Sequence, residues 1–216
     1  MKLYLIRHGQ TNWNLQRKIQ GTTDIPLNET GIAQAHEVGR KLLELKDKYT
    51  IDTIFCSHLQ RAHKTAEIIA SYLNVPCAPA EGLHELNLGA FEGKTWDEGR
   101  AEFPEAYDAW YSNRRYAPAP GGGESYQASY ERCAAAIRRE AAKLPRDTRG
   151  MAVVSHGGTI FATIAAITNT DFEDMGKYVI GNLSVTVVDY DPDTDTWKFE
   201  SVDAIVEGGN NSTAPR

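Results

Sequence analysis

Leu3-Tyr4-Leu5-Ile6 runs straight into Arg7-His8-Gly9, and Met151-Ala152-Val153-Val154 runs into Ser155-His156-Gly157 in the same way. Each is a short, unbroken apolar run stopped by polar residues and a glycine. A strand buried on both faces of a parallel sheet has this form, whereas a half-exposed strand alternates. Thr53-Ile54-Phe55-Cys56 is a third such run; it ends in Ser57-His58, with Arg61 and Lys64 just beyond. The segments between follow a helical period. Residues 29–46 put Ala35, Val38, Leu42 and Leu45 on one face behind an Asn28 N-cap. A helix after Cys56 turns Ile68, Ile69 and Leu73 inward, 126–143 is an alanine-rich helix closed by Leu144-Pro145, and 158–167 is the helix after the 151–154 strand. Leu183 to Tyr190 and Trp197 to Val202 flank Asp191-Pro192-Asp193-Thr194-Asp195, a hairpin turn signal.

Alternating strands and helices predict an α/β fold: a three-layer sandwich with a mostly parallel central sheet and an antiparallel edge hairpin. Residues 90–126 break the pattern with Phe91, Trp96, Phe103, Tyr107, Trp110, Tyr111 and Tyr116 around Arg114-Arg115. They read as a helical cap insertion over the end of the sheet, its aromatics serving as packing rather than a cofactor box. The expectation is one domain over residues 1–206, followed by a disordered Gly/Asn/Ser/Thr/Pro tail over 207–216.

The chain has 216 residues, 29 acidic against 23 basic, for a net charge of −6. At this length roughly 70% of the unfolded surface can be buried, so the core needs no metal or disulfide staple. The acidic balance argues against a nucleic-acid binder, which needs a basic face. It leaves room for a pocket in which a few focused cations hold a phosphate. Three cysteines (Cys56, Cys77 and Cys133) with no C-x-x-C pair fit a reducing cytoplasm. Neither a signal h-region nor about 18 consecutive apolar residues is present, so a membrane role is not expected.

Ligands of open α/β sheets bind beyond the carboxyl ends of the strands. One histidine after a strand is ordinarily a satisfied loop residue. His8 and His156 at equivalent strand ends, with Arg7 and Arg61 converging on the same edge, point instead to an anion site. His36, His58, His63 and His84 show no metal-ligand spacing, and no metal site is expected.

The blocks carrying these residues resemble the histidine phosphatase superfamily (phosphoglycerate mutase-like). Leu5-Ile6-Arg7-His8-Gly9-Gln10-Thr11 with Asn14 is followed by Gln20-Gly21, Asp24, Pro26-Leu27, Gly31 and Gln34-Ala35. Ser57, Arg61-Ala62, Thr65-Ala66, Glu85, Gly89, Glu92-Gly93, Gly123-Glu124-Ser125 and Ser155-His156-Gly157-Gly158 continue it in order. The resemblance implies that His8 takes the phosphoryl group and that Glu85 is the general acid and base. It implies further that Arg7, Asn14, Gln20, Gly21, Arg61 and His156 surround the phosphate, without metal or cofactor. The chemistry is coherent. A neutral imidazole attacks phosphorus, guanidinium forks meet the charge on the transferred group, and a carboxylic acid protonates the leaving alkoxide. Glu92 reads as structural.

The expected activity is hydrolysis of a small phosphorylated metabolite. The alternative is a cofactor-dependent phosphoglycerate mutase, whose paired arginine Arg114-Arg115 resembles, although Gly123-Glu124-Ser125 is closer to the phosphatase branch. A non-catalytic phospholigand-binding protein is the remaining reading. A monomer and a homodimer paired through an exposed strand edge are both compatible with the sequence.

Overall fold

The computed structural model describes residues 1–205, and the expected tail at 207–216 lies outside them. Six strands form one sheet: β1 (Lys2–Arg7), β2 (Thr53–Cys56), β3 (Cys77–Pro79), β4 (Gly150–Ser155), β5 (Ser184–Asp191) and β6 (Thr196–Ala204). Their order across the sheet is β3-β2-β4-β1-β5-β6. The first four strands pair parallel, while β5 is antiparallel to β1 and to β6. The α/β class, the mostly parallel sheet and the antiparallel hairpin are therefore as expected. In the hairpin turn, Asp191 accepts from the Asp193 N–H and the Thr194 hydroxyl.

Among the described residues, seven α-helices accompany the sheet: α1 (Asn12–Leu15), α2 (Glu29–Glu44), α3 (Gln60–Leu73), α4 (Trp96–Glu102), α5 (Pro104–Ser112), α6 (Tyr126–Ala141) and α7 (Gly157–Ile167). Strand alternation sorts the core into two layers. Tyr4, Ile6, Ala152 and Val154 pack with Val38 and Leu42 of α2 and Ile69 of α3. Leu3, Leu5, Met151 and Val153 pack on the opposite face with Ile137 of α6 and Ile160 and Ile164 of α7.

Several details depart from the sequence reading, among them Tyr116, read as cap packing but 63% exposed. Leu45 does not face the core: α2 ends at Glu44, and Leu45 is 44% exposed. The sequence reading lacks β3, a three-residue edge strand ending in Pro79. Helix α7 begins at Gly157, one residue before the expected start.

Between 89 and 112 the chain makes a 3-10 turn (Gly89–Phe91) and then helices α4 and α5, and Phe91, Tyr107, Trp110 and Tyr126 form a buried aromatic cluster flanked by Trp96, Phe103 and Phe172. Trp96 stacks on Trp110 at 5.6 Å, and Phe91 meets Tyr107 edge-on at 5.7 Å. Such contacts add about 0.5–1.5 kcal/mol each beyond area burial, enough to hold this small layer together. Among the described residues, no helix is long and apolar enough to cross a membrane.

Candidate active site

Parallel pairing of β1 with β4 sets Arg7 opposite Ser155, so the residues that follow each strand emerge side by side. The His8 and His156 rings lie 5.2 Å apart between centroids. His8 Nδ1 lies 2.7 Å from the Gly9 carbonyl oxygen. A carbonyl only accepts, so Nδ1 holds the proton and Nε2 keeps its lone pair. The backbone of His8 is fixed on both sides: its N–H donates to Ser155 O, and its carbonyl accepts from Asn182 Nδ2.

Arg61, on the first turn of α3, is fully buried, and its Nη1 and Nη2 donate to the carbonyls of Thr23 and Gly21 at 2.8 and 2.7 Å. The loop supplying those carbonyls is tied down by Glu92, which accepts from the N–H and hydroxyl of both Thr22 and Thr23. Glu92 is thus structural, as read from the sequence. Gly21 holds φ +52, and a Cβ there would overlap the Glu92 carboxylate. Only glycine lets this loop close over Arg61. Arg7 Nη1 donates to Ile180 O at 2.8 Å. Thr65 links the two halves, accepting from Gly9 N–H and donating to Arg61 O.

Glu85 lies against the N-terminus of α7. Its carboxylate accepts from the N–H groups of Gly158, Thr159 and Leu86 and from the Thr159 hydroxyl, at 2.9 to 3.1 Å. A Cβ on Gly158 would come within 2.9 Å of Glu85 Oε1, so glycine is what admits the carboxylate. Asn14 Oδ1 accepts from the N–H and hydroxyl of Thr11, whose hydroxyl also contacts Gln20 Oε1 at 3.0 Å.

Several buried polar atoms lack a hydrogen-bond partner among the described residues: Arg61 Nε, Asn14 Nδ2 and both ring nitrogens of His156. Buried donors are normally satisfied. Their gathering at one sheet edge, beside Arg7, is the arrangement an oxyanion would complete. Burial, then the charges of Arg61 and Arg7, push the His8 imidazole well below its usual range. Burial is also the main cause for His156, followed by Arg61 and His8. Both rings are therefore neutral at neutral pH. Burial lowers each guanidinium to about 10, so Arg7 and Arg61 stay charged.

Arg114 and Arg115 lie against aromatic rings, of the cap and, for Arg114, also of Phe172. Arg114 stacks on Tyr111 at 4.1 Å, donates to its carbonyl and lies 5.5 Å from Phe172, while Arg115 lies 5.7 Å from the Tyr116 ring. Burial pushes the nearby Tyr126 phenol up; the Arg114 charge opposes that shift and the Glu85 charge adds to it. Sequence reasoning missed Asn182, in the turn before β5, Arg132, on α6, and Thr159, the α7 residue that directly follows the Ser155-His156-Gly157-Gly158 block. The His84 ring meets that of His58 edge-on at 5.8 Å, and its Nδ1 contacts Glu85 O. Among the described residues, no group of three or more His, Cys, Asp or Glu is placed to hold a metal ion.

With sheet order, strand-end histidines and buried arginines in hand, comparison with known proteins gives the class. The family model "Histidine phosphatase superfamily (branch 1)" matches residues 3–203, and the chain belongs to that family. It is 38% identical over 164 residues to phosphoglycerate mutase-like protein 4 of Arabidopsis thaliana, spanning 74% of this chain and 67% of the relative. It is 35% identical over 188 residues to the metal-independent phosphoserine phosphatase of the same plant, spanning 87% and 75%. Phosphoserine phosphatase of Entamoeba histolytica, solved in complex with 3-phosphoglyceric acid, superposes with a TM-score of 0.78 at 30% identity, spanning 94% of this chain and 96% of that one.

Proposed function

We propose that this protein is a phosphomonoesterase that hydrolyses a small phosphorylated metabolite through a phosphohistidine on His8. The observation that carries this reading is the 2.7 Å contact of His8 Nδ1 with the Gly9 carbonyl, which commits Nδ1 as donor and leaves Nε2 as a neutral nucleophile within the field of two buried guanidinium groups. Nε2 attacks phosphorus, and the bond from phosphorus to the ester oxygen breaks. Glu85 donates its proton to the departing alkoxide, then takes one from water, which attacks phosphorus and breaks the bond to Nε2. Arg7, Arg61, His156 and Asn14 Nδ2 meet the non-bridging oxygens, where charge must be stabilised in a loose, anionic transition state. A bound anion reverses the local field at His156 and favours its charged, doubly donating form. Arginines supply the positive charge that a divalent ion would otherwise provide. The free, buried thiols of Cys56 and Cys133 fit a cytoplasmic location.

Steady-state rates over a panel of phosphomonoesters, with and without chelator, test this reading. Turnover to inorganic phosphate that survives EDTA is expected. Loss in EDTA with recovery on added magnesium or zinc overturns it. Interconversion of phosphoglycerates that requires their bisphosphate, with little release of phosphate, would identify a mutase instead.

Arg114 and Arg115 enter as candidates for the far end of the substrate, since a guanidinium binds a second carboxylate or phosphate bidentately. Changing both to alanine is expected to raise KM for doubly anionic esters and leave nitrophenyl phosphate nearly unaffected. An equal response in both substrates, or none, makes the pair cap packing only.

A further inference from the structure

The Gly123-Glu124-Ser125 stretch and the middle of α6 take no part in the chemistry above, yet they converge on the loop that presents Glu85. Ser125 caps α6, its hydroxyl accepting from the Ala128 N–H. About two turns along that helix, Arg132 reaches back. Its Nε and Nη2 form a two-pronged bond to the Glu124 carboxylate, both at 2.9 Å. Its Nη1 donates to the carbonyls of Gly82 and His84 at 2.7 and 3.1 Å, and its Nη2 to that of Glu85 at 3.4 Å. One guanidinium thus gathers three carbonyls from four consecutive residues. Glu124 holds the other end of the loop, accepting from Asn87 N–H at 3.0 Å, while its own N–H donates to Asn87 O. Burial pushes the Glu124 carboxyl up, but the Arg132 hydrogen bond, the Asn87 N–H and the Arg132 charge outweigh it and hold the group below its usual range. The pair is only about a fifth exposed on each side, so its fork is better shielded than a surface bridge.

We infer that Arg132, oriented by Glu124, is a positioning residue for Glu85. It fixes the main chain of the acid loop while the N-terminus of α7 fixes the carboxylate. The inference rests on the proposed role of Glu85 as general acid. Proton transfer to a leaving alkoxide demands placement within hydrogen-bond reach, and small misplacements remote from the chemistry are costly. A resonance-stabilised leaving group needs little protonation and is indifferent to such misplacement. Arg132 therefore governs the rate on alkyl esters specifically.

The test compares kcat for glycerol 2-phosphate and nitrophenyl phosphate in wild type, Arg132→Met, Arg132→Lys, Glu124→Gln, Glu85→Gln and the Arg132→Met/Glu85→Gln double variant. Arg132→Met is expected to slow the alkyl ester at least about tenfold and the nitrophenyl ester no more than about twofold, within the range a general acid commands. Arg132→Lys, which keeps the charge but not the fork, falls between, and it carries the test with Glu124→Gln if Arg132→Met does not fold. In the Glu85→Gln background, removing Arg132 should leave the ratio of the two rates unchanged. Equal losses on both esters in the Arg132 variants, or a further change of ratio in the double variant, overturn the inference. Equal losses on both esters in Glu85→Gln alone overturn the general-acid reading itself.

Discussion

His8→Ala is expected to abolish turnover, by about 10⁴-fold or more in kcat, the scale on which loss of a nucleophile is felt elsewhere. The fold should survive, because His8 lies beyond the end of β1 and outside the apolar layers. One hydrogen bond to Gly9 O is lost, worth about 1 kcal/mol net. Against that, a desolvated ring under the influence of two cations is removed. The stability profile should respond in a definite direction. Folded His8 stays neutral well below the usual histidine range, whereas the unfolded residue takes up a proton near its ordinary pKa of about 6.5. Wild type therefore loses stability as pH falls below that value, and His8→Ala should lose less of it. Denaturant titrations at several pH values below neutrality measure this. Rapid quenching of wild type with labelled substrate under non-acidic conditions should trap label on His8. Label on a serine or an aspartate, or retained activity in the variant, refutes the nucleophile.

Much of this site was legible because its two histidines follow strands that are buried on both faces. Such strands cannot alternate, so Leu3–Ile6 and Met151–Val154 stand out as apolar runs, and the polar residues after them are conspicuous. Adjacency was not legible: β1 and β4 are separated by more than 140 residues of chain, and only pairing across the sheet puts Arg7 beside Ser155. Edge strand β3 escaped notice because three residues ending in proline carry no period. Asn182, whose Nδ2 holds the His8 carbonyl, sits in the turn before β5, where Leu183 adopts φ +59, and no local pattern signals it. Nothing local marks Arg132 on its alanine-rich helix, since the carbonyls it gathers lie some 50 residues away. Side-chain chemistry at strand ends is written locally, whereas the groups that orient it are set by tertiary contacts.

Arg61 offers the sharpest separation between a catalytic and a merely structural charge. Arg61→Met keeps the apolar stem and deletes the guanidinium. Two folding effects then oppose one another. The carbonyls of Gly21 and Thr23 lose their donors, at about 1–3 kcal/mol each if left unpaired. Burial of a charge strong enough to bring the guanidinium to about 10 is relieved. The shift in Tm should therefore be small beside the loss of rate, which we expect at about 10²–10³ in kcat/KM, or roughly 2.7–4 kcal/mol, the scale of one oxyanion donor. The pH profile carries the decisive information. After burial, Arg61 is the largest influence holding His8 neutral. Deleting a neighbouring positive charge favours the imidazolium, so the His8 pKa should rise toward its ordinary value. The acid limb of kcat/KM, corrected for the second ionisation of the substrate near about 6, should then move to higher pH, because protonated His8 has no lone pair on Nε2. Arg61→Lys keeps a charge there and should leave the limb close to wild type while still losing rate, since a point-like ammonium lacks the planar fork that spans both carbonyls and still presents Nε. If all three proteins share one acid limb and differ only in amplitude, Arg61 braces the Gly21–Thr23 loop without tuning the nucleophile.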